Sequence, residues 1–480
     1  MSIHRNTAYN LAGGLVPIAL SLLTIPQYIG LVGDARYGVL AIAWLLLGYF
    51  GIFDLGLGAA TAQRIAALVH DSPQVRAEVF WTALAMNCAL GVVGGLLLVP
   101  AAHLYFGTSA AIDPGLRPEL VRALPWLALA LPLATVSGVL TGSLQGRSRF
   151  LELNAISVMG SALTQLVPLA VARLHGPDLG WLVPAVVLSR LLVLVALFWR
   201  SGRHVHHGHP RAVSMEQARS LLQFGGWVTV TALVGPLMVV MDRFAIGALL
   251  GPKPVAHYTV PFQLAERTSL LPSALSNALF PRMAAADPAE SRQLAGAAIR
   301  SLAVVLTPLT AVGMLLMQPF LAWWLNPMFA AEAGLPGQLL LLGFWINAFA
   351  LVPFALLQAA GRPDTIAKCH LVEVVPYLVL LYVALRLLGT PGAALVFGLR
   401  TLVDCMLLMH FAGKLAVAIE VLVPPALLLL GVFALARFVP PALSPLRFTT
   451  TAAMLVVVFG WAVATAPPVL RERVRRSLGW

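Results

Sequence analysis

Charged residues are scarce in this chain. Only 10% of its 480 residues are Asp, Glu, Lys or Arg, whereas a soluble domain carries about a quarter. The net charge of +12 invites a nucleic-acid interpretation. However, the Lys and Arg residues lie mainly in short loops between apolar runs, and no soluble basic domain separates from those runs. The composition therefore argues against an ordinary soluble protein, and we expect no nucleic-acid partner.

Cysteines and recognisable catalytic motifs are equally scarce. The three cysteines, Cys88, Cys369 and Cys405, lie in apolar segments, and their spacing fits neither a disulfide framework nor a zinc knuckle. The histidine-rich stretch from His204 to His209 also lacks the spacing of a zinc site. No Walker, Rossmann, kinase or zinc-protease motif is present. We therefore expect neither an enzyme nor a metal or cofactor.

Long apolar runs dominate what remains, because 59% of the residues are hydrophobic. The runs are about 20 residues long, the length at which a helix crosses a hydrocarbon core, and they number about fourteen. The first run, 9–32, is too long for a signal peptide and lacks its cleavage site. The sequence predicts an all-α polytopic membrane protein.

Positive charge predicts the orientation of the helices. With the N-terminus inside, cytoplasmic segments hold roughly nineteen Lys and Arg residues against about nine outside, which matches the positive-inside pattern. An even number of spans then leaves both termini in the cytoplasm.

The order of spans indicates an internal duplication. Gly13-Gly14 opens the first span and Gly225-Gly226 the seventh, and these and similar echoes lie about 212 to 221 residues apart, as in a parallel transporter repeat. We predict two six-helix lobes related by a pseudo-two-fold repeat, plus two C-terminal helices. The predicted domains are an N-lobe (1–203), a cytoplasmic linker (204–218), a C-lobe (219–415) and two further spans with a basic tail (416–480).

Two groups of residues carry a family resemblance. The N-terminal group is Asn6, Asn10-Leu-Ala-Gly-Gly, Pro26-Gln-Tyr-Ile-Gly, Gly33-Asp-Ala-Arg-Tyr-Gly, Asp54-Leu-Gly-Leu-Gly58 and Arg64. The later group is Phe224-Gly-Gly-Trp227, Pro236, Asp242-Arg243, Ile246-Gly247, Tyr258, Pro261 and Leu279-Phe280-Pro281. In this order they resemble the polysaccharide transporter family, the Wzx-like branch of the multidrug/oligosaccharidyl-lipid/polysaccharide flippase superfamily, over roughly residues 5–415.

The resemblance implies a function. Relatives carry undecaprenyl-diphosphate-linked oligosaccharide from the cytoplasmic to the periplasmic leaflet by alternating access, for surface polysaccharides such as O-antigen or exopolysaccharide. The implied location is the bacterial inner membrane. The expected partners are the lipid-linked oligosaccharide and the lipid bilayer, with polysaccharide polymerase and chain-length proteins as further candidates.

Arginines inside the spans are the candidate binding residues for a diphosphate. A diphosphate cannot cross about 30 Å of hydrocarbon bare, and a guanidinium stays charged and presents several donors. Arg267 is the first choice, followed by Arg190, Arg243 and Arg64. The alternatives are a helix–helix ion pair for Arg267, snorkelling for Arg190 and a positive-inside anchor for Arg64.

Carboxylates in the spans are candidates for coupling transport to H⁺ or Na⁺. We name Asp54, Asp242 and Glu266, since a carboxylate near a cavity binds such ions. In the late spans, Glu373, Arg400 and Asp404 form another set. Arg400 and Asp404 are four residues apart on one helix face, which predicts an intrahelical pair.

Two other functions compete with the flippase. A multidrug or cation antiporter of the same superfamily would favour aromatic and acidic cavity walls, whereas the spans here contain arginines. A membrane polysaccharide polymerase or ligase would need an outer catalytic surface. The outer loops are short, and the longest shows no catalytic constellation.

Overall fold

The computed structural model of the chain describes residues 3–49, 56–68, 72–108, 113–206, 209, 212–438 and 445–467. Over these ranges the backbone is helical apart from short turns, and no β-strand occurs among them. The helices are α1 Ile3–Tyr49, α2 Leu57–Ala67, α3 Pro73–Thr108, α4 Arg117–Gly146, α5 Phe150–His175, α6 Leu179–Ser201, α7 Met215–Leu250, α8 Pro252–Glu266, α9 Leu270–Ala285, α10 Pro288–Trp324, α11 Pro327–Ala359, α12 Pro363–Leu388, α13 Thr390–Phe411, α14 Leu415–Phe438 and α15 Pro445–Thr465.

Many of these helices have the length and composition of membrane spans. In the described ranges, ten helical segments are long and apolar enough to cross a bilayer. The all-α polytopic fold class is thereby confirmed. The number of about fourteen spans stays a prediction.

The chain divides into two compact units, residues 1–256 and 257–480. The first unit includes α7, which packs against α2 and α3. Its core is formed by α2, α3, α4 and α6 around residues such as Ile65, Phe80, Leu140 and Leu197. The predicted domain boundaries at 203 and 219 and the two-lobe arrangement stay predictions.

The core of the second unit is aromatic. Phe262 of α8 lies with its ring centroid 4.9 Å from that of Phe344 of α11 and 5.6 Å from that of Phe397 of α13. The two latter rings are 5.0 Å apart. Edge-on and tilted contacts of this kind add to the energy of area burial, so this cluster ties α8, α11 and α13 together.

Three backbone turns occur twice along the chain, the first of them at Gly33, where non-helical backbone divides α1 into two helices. Each has one residue with positive φ, and the paired residues are 218, 213 and 213 positions apart: Gly33 and Gly251, Ser148 and Gly361, Gly176 and Gly389. The second pair also shares its hydrogen bonds, because Arg149 N donates to Leu144 O and Arg362 N donates to Leu357 O. Equal turns at a nearly constant offset support the predicted internal repeat.

Small residues bring α2 and α4 into close contact. A Cβ atom added to Gly142 would lie 2.1 Å from the carbonyl oxygen of Gly58, and one added to Gly146 would lie 2.7 Å from that of Ala62. Both helices therefore present small residues four positions apart, a pattern that lets membrane helices approach closely. Gly58 of the Asp54-Leu-Gly-Leu-Gly58 motif thus has a packing role.

We predict that Gly142→Ala lowers the free energy of unfolding by about 1–3 kcal/mol, because backbone atoms must move apart to admit the methyl group. Thermal unfolding in detergent measures the change. Gly460→Ala in α15 is the matched control, since nothing lies within 4 Å of an added Cβ there. Equal melting temperatures for the two variants would contradict the assigned close contact.

Candidate functional site

Arg267 lies where the helical backbone is interrupted between α8 and α9. Helix α8 ends at Glu266, a 3₁₀ turn covers Arg267–Ser269, and α9 begins at Leu270. Pro272 accounts for the break, because it has no N–H to donate to the carbonyl of Thr268. At this break the Thr268 hydroxyl donates a hydrogen bond to Ala265 O at 2.7 Å. The Ser269 hydroxyl is buried without a hydrogen bond in the described structure. Non-helical backbone at membrane depth is tolerated where protein buries it or where it lines a water-filled cavity.

Glu266 and Arg267 are both half-buried at this break. Neither makes an ion pair or side-chain hydrogen bond with any residue that the structure describes. The sequence alternative of a helix–helix ion pair for Arg267 therefore finds no partner in the described part of the chain. An Arg within an apolar segment that has no counter-ion among the described residues is a binding-site candidate.

Arg190 lies in the middle of α6. It is eleven residues from Leu179 and eleven from Ser201, the two ends of the helix, or about 16 Å along the axis from each. The side chain is half-buried, and its Nε is buried with no hydrogen-bond partner among the described residues. The neighbouring Ser189 hydroxyl donates to Leu163 O of α5 at 3.0 Å. This central position leaves Arg190 poorly placed for snorkelling.

Arg64 connects two helices of the first unit. It lies in the last turn of α2, where a cation interacts favourably with the helix dipole. Its Nε donates to Gln217 Oε1 of α7 at 3.4 Å. Gln217 itself is held by Ser214, whose hydroxyl accepts from the Gln217 N–H. These contacts give Arg64 a local structural role.

Asp242 and Arg243 form a buried ion pair in α7. Asp242 has no exposed surface and Arg243 is 4% exposed. Arg243 Nη1 lies 3.2 Å from Asp242 Oδ1, which also accepts from the Arg243 backbone N–H at 2.7 Å. Each charge is thus compensated by its neighbour, so a diphosphate or a cation would have to compete with the pair. Asp54, the third coupling candidate, lies outside the described residues.

The second unit holds a polar cluster that the sequence revealed only in part. His370, Glu373 and Tyr377 share one face of α12, and they face Arg400 and Asp404 of α13. Asp404 pairs with His370 at 3.4 Å between Oδ1 and Nε2. The predicted intrahelical pair of Arg400 with Asp404 is wrong, because the Arg400 guanidinium instead lies 6.0 Å and 5.9 Å from the ring centroids of Tyr377 and Phe397.

Glu373 is the unusual member of this cluster. The residue is 5% exposed, and neither of its carboxylate oxygens has a hydrogen-bond partner in the described structure. The spacing of His370, Glu373 and Tyr377 at three and four residues was the signal for this face. Sequence reasoning grouped Glu373 with Arg400 and Asp404 but missed His370 and Tyr377, because His370 lies near the end of an apolar span.

His204, the first residue of the histidine-rich stretch, has a structural role. His204 lies in a π-helical turn after α6, and its Nε2 is 3.1 Å from Glu152 Oε1 of α5. Arg200 contacts the same carboxylate at 3.6 Å. No group of three metal-ligating side chains occurs among the described residues.

Apolar helices of spanning length, close-packed small residues and charges buried in mid-span define a multi-pass membrane transporter. Solved structures share this fold. The inward closed conformation of the lipid II flippase MurJ superposes with a TM-score of 0.74 at 12% identity, covering 98% of this chain and all of that one. An inward-facing multidrug resistance MATE transporter of the MOP superfamily gives 0.68 at 15% identity, covering 85% and 98%.

The chain belongs to the polysaccharide biosynthesis protein family, whose model matches residues 3–286. It is also 28% identical over 425 residues to a Shigella flexneri protein named "Putative O-antigen transporter", covering 88% of this chain and all of that protein. These relatives are transporters and flippases rather than enzymes. The resemblance inferred from the sequence motifs is confirmed.

We predict that His370→Ala destabilises the protein by about 1–3 kcal/mol, because Asp404 loses the partner of a buried charge. Glu373→Gln is the matched variant on the same helix. It should leave stability unchanged or raise it, since this carboxylate receives no hydrogen bond from the described residues. Thermal unfolding in detergent compares the two variants. An equal loss of stability in both would show that the Glu373 carboxylate contributes to stability, against this prediction.

Proposed function

We propose that this protein flips an undecaprenyl-diphosphate-linked oligosaccharide from the cytoplasmic to the periplasmic leaflet of the inner membrane by alternating access. Membership of the polysaccharide biosynthesis family and the likeness to an O-antigen transporter support a lipid-linked cargo. Polysaccharide polymerase and chain-length proteins would receive the delivered units. Both termini lie in the cytoplasm in this proposal, as the positive-inside pattern predicts.

The observation that carries the proposal is the guanidinium of Arg267 at a broken helix. A diphosphate needs charge-assisted donors to replace its hydration. Arg267 has no ion-pair partner in the described structure, so its charge is available to a ligand. Arg190, whose Nε–H donates no hydrogen bond to any described residue, is the second candidate. Arg243 and Arg64 contribute less in this proposal, because they already donate hydrogen bonds to Asp242 and Gln217, respectively.

An anionic cargo also distinguishes this proposal from a multidrug antiporter. The likeness to MATE transporters, at 15% identity, concerns the fold alone. The half-buried Arg267 and Arg190 disfavour a cationic drug, because like charges repel in a medium of low dielectric constant. The sequence relatives are polysaccharide proteins, which favours the lipid-linked sugar.

Ion coupling is a further part of the proposal. Among the described coupling candidates, Glu266 is half-buried and lacks an ion-pair partner there, whereas Asp242 is neutralised by Arg243. We therefore assign the binding of H⁺ or Na⁺ to Glu266 first. Because Glu266 and Arg267 are adjacent, an ion and a diphosphate bound at this break would influence one another.

We predict that Arg267→Ala lowers delivery of lipid-linked sugar to the periplasmic side at least about tenfold, the typical worth of a hydrogen bond to a charged group. Arg267→Lys should retain part of the activity. Proteoliposomes with labelled precursor measure delivery as accessibility of the sugar from the opposite leaflet. The control is Arg386→Ala, because Arg386 is exposed and stacks on Tyr382. Unchanged delivery in Arg267→Ala would remove this residue from the mechanism.

Glu266→Gln tests the coupling. Delivery by the wild type should rise when a pH or Na⁺ gradient is imposed across the proteoliposome, and the variant should lose that response while keeping its basal rate. Glu420→Gln, which changes an exposed carboxylate of α14, serves as the control. An unaltered gradient response in Glu266→Gln would assign coupling elsewhere.

A further inference from the structure

Three helix ends carry the same turn followed by a basic residue. In each, the residue with positive φ donates its N–H three residues back and the basic residue donates its N–H five residues back, which is the Schellman motif. The basic residues are Arg149 after α4, Arg362 after α11 and Lys414 after α13. The backbone thus fixes a cation just beyond the carboxyl end of each helix.

In the second unit, two of these turns border one cavity. It has a volume of about 480 Å³ and lies at the ends of α9, α11 and α13 and the start of α10. Arg292 of α10 and Arg362 contribute the charged side chains of its lining, and Gly413 places Lys414 beside it. By the positive-inside pattern this is the cytoplasmic end of the unit.

The cations at this cavity are not balanced by acidic lining residues. The Lys414 ammonium lies 3.8 Å from the position that an added Cβ atom would occupy on Gly296 of α10. Gly296 is one helical turn after Arg292 on the same helix. Burial, together with the neighbouring Arg292 and Arg300, lowers the pKa of Lys414. The nearby Asp287 is engaged as the cap of α10, because Oδ1 accepts from the N–H groups of Ala289 and Glu290 at 2.8 Å each.

The rest of the lining indicates what kind of anion fits. Apart from Ser291 and the two arginines, the side chains are apolar, and neither an amide nor a carboxylate is among them. The Ser291 hydroxyl is already used, since it donates to Met283 O at 2.9 Å. Sugar hydroxyls would find few partners here, whereas a phosphate ester carrying acyl chains finds both cations and apolar surface.

From this geometry we propose that the cavity lined by Arg292 and Arg362 binds the phosphate of an anionic phospholipid headgroup. The ligand is a resident lipid of the cytoplasmic leaflet and is distinct from the translocated cargo. Basic pockets between membrane helices on this side favour such headgroups over zwitterionic ones. The lipid would link the ends of α9, α11 and α13.

Native mass spectrometry of the delipidated full-length protein tests the site by titration with phosphatidylglycerol, cardiolipin or phosphatidylcholine. We expect the two anionic lipids to bind and phosphatidylcholine to bind weakly. Arg292→Gln with Arg362→Gln should weaken phosphatidylglycerol binding about fivefold for each arginine removed. The control is Arg149→Gln, since Arg149 occupies the same turn position in the first unit.

Other outcomes would overturn the proposal. Equal affinity for phosphatidylcholine, or unchanged phosphatidylglycerol binding in the double variant, would remove the headgroup site. Displacement of the lipid by an equal concentration of inorganic phosphate would mark a free-phosphate site, and displacement by lipid-linked oligosaccharide would make it part of the cargo path. If the double variant unfolds, Ala284→Leu replaces it as the test, because a larger side chain in the lining narrows the cavity and keeps both charges. Unchanged lipid binding there refutes the site.

Discussion

Hydrocarbon offers no hydrogen bonds, and this constraint governs both the fold and the site. Each backbone group at membrane depth needs a partner within the protein, so the described chain is helical wherever it is apolar. The break at Arg267–Ser269 departs from this rule. An interrupted helix in an apolar segment needs water, protein or ligand to satisfy its backbone, and Arg267 has no ion-pair partner among the described residues, so the break and the charge favour the same function.

Charges inside the spans fall into two groups. Some are compensated within the protein: Asp242 contacts Arg243, and Asp404 of α13 contacts His370 of α12. Others, such as Arg190 and Glu373, have side-chain atoms without hydrogen bonds in the described structure. Compensated pairs hold helices together, whereas an uncompensated buried group costs free energy. A protein retains that cost where function requires it, so the second group marks candidate functional residues.

The internal repeat also has a physical basis at the helix ends. A residue in the left-handed conformation ends a helix by satisfying its last carbonyl groups, and the chain uses this turn at corresponding positions of its two halves. A basic residue after such a turn is favoured by the helix dipole, and in the predicted orientation it lies at the cytoplasmic end of its span. The helix-ending turn and the positive-inside pattern therefore both favour a basic residue at this position. In the second unit the same arrangement borders a cavity.

The sequence by itself determined the polytopic class and the family, because hydropathy and motif order are local properties of the chain, and it predicted the repeat. It also identified Arg267 and Arg190 as charges within apolar runs. Only the tertiary structure decided which charges have partners: Asp404 contacts His370 instead of Arg400, and Arg64 contacts Gln217. Such partners lie on other helices, 34 and 153 residues away along the chain. Spacing within one helix cannot specify them, because they depend on which faces of separate helices pack together.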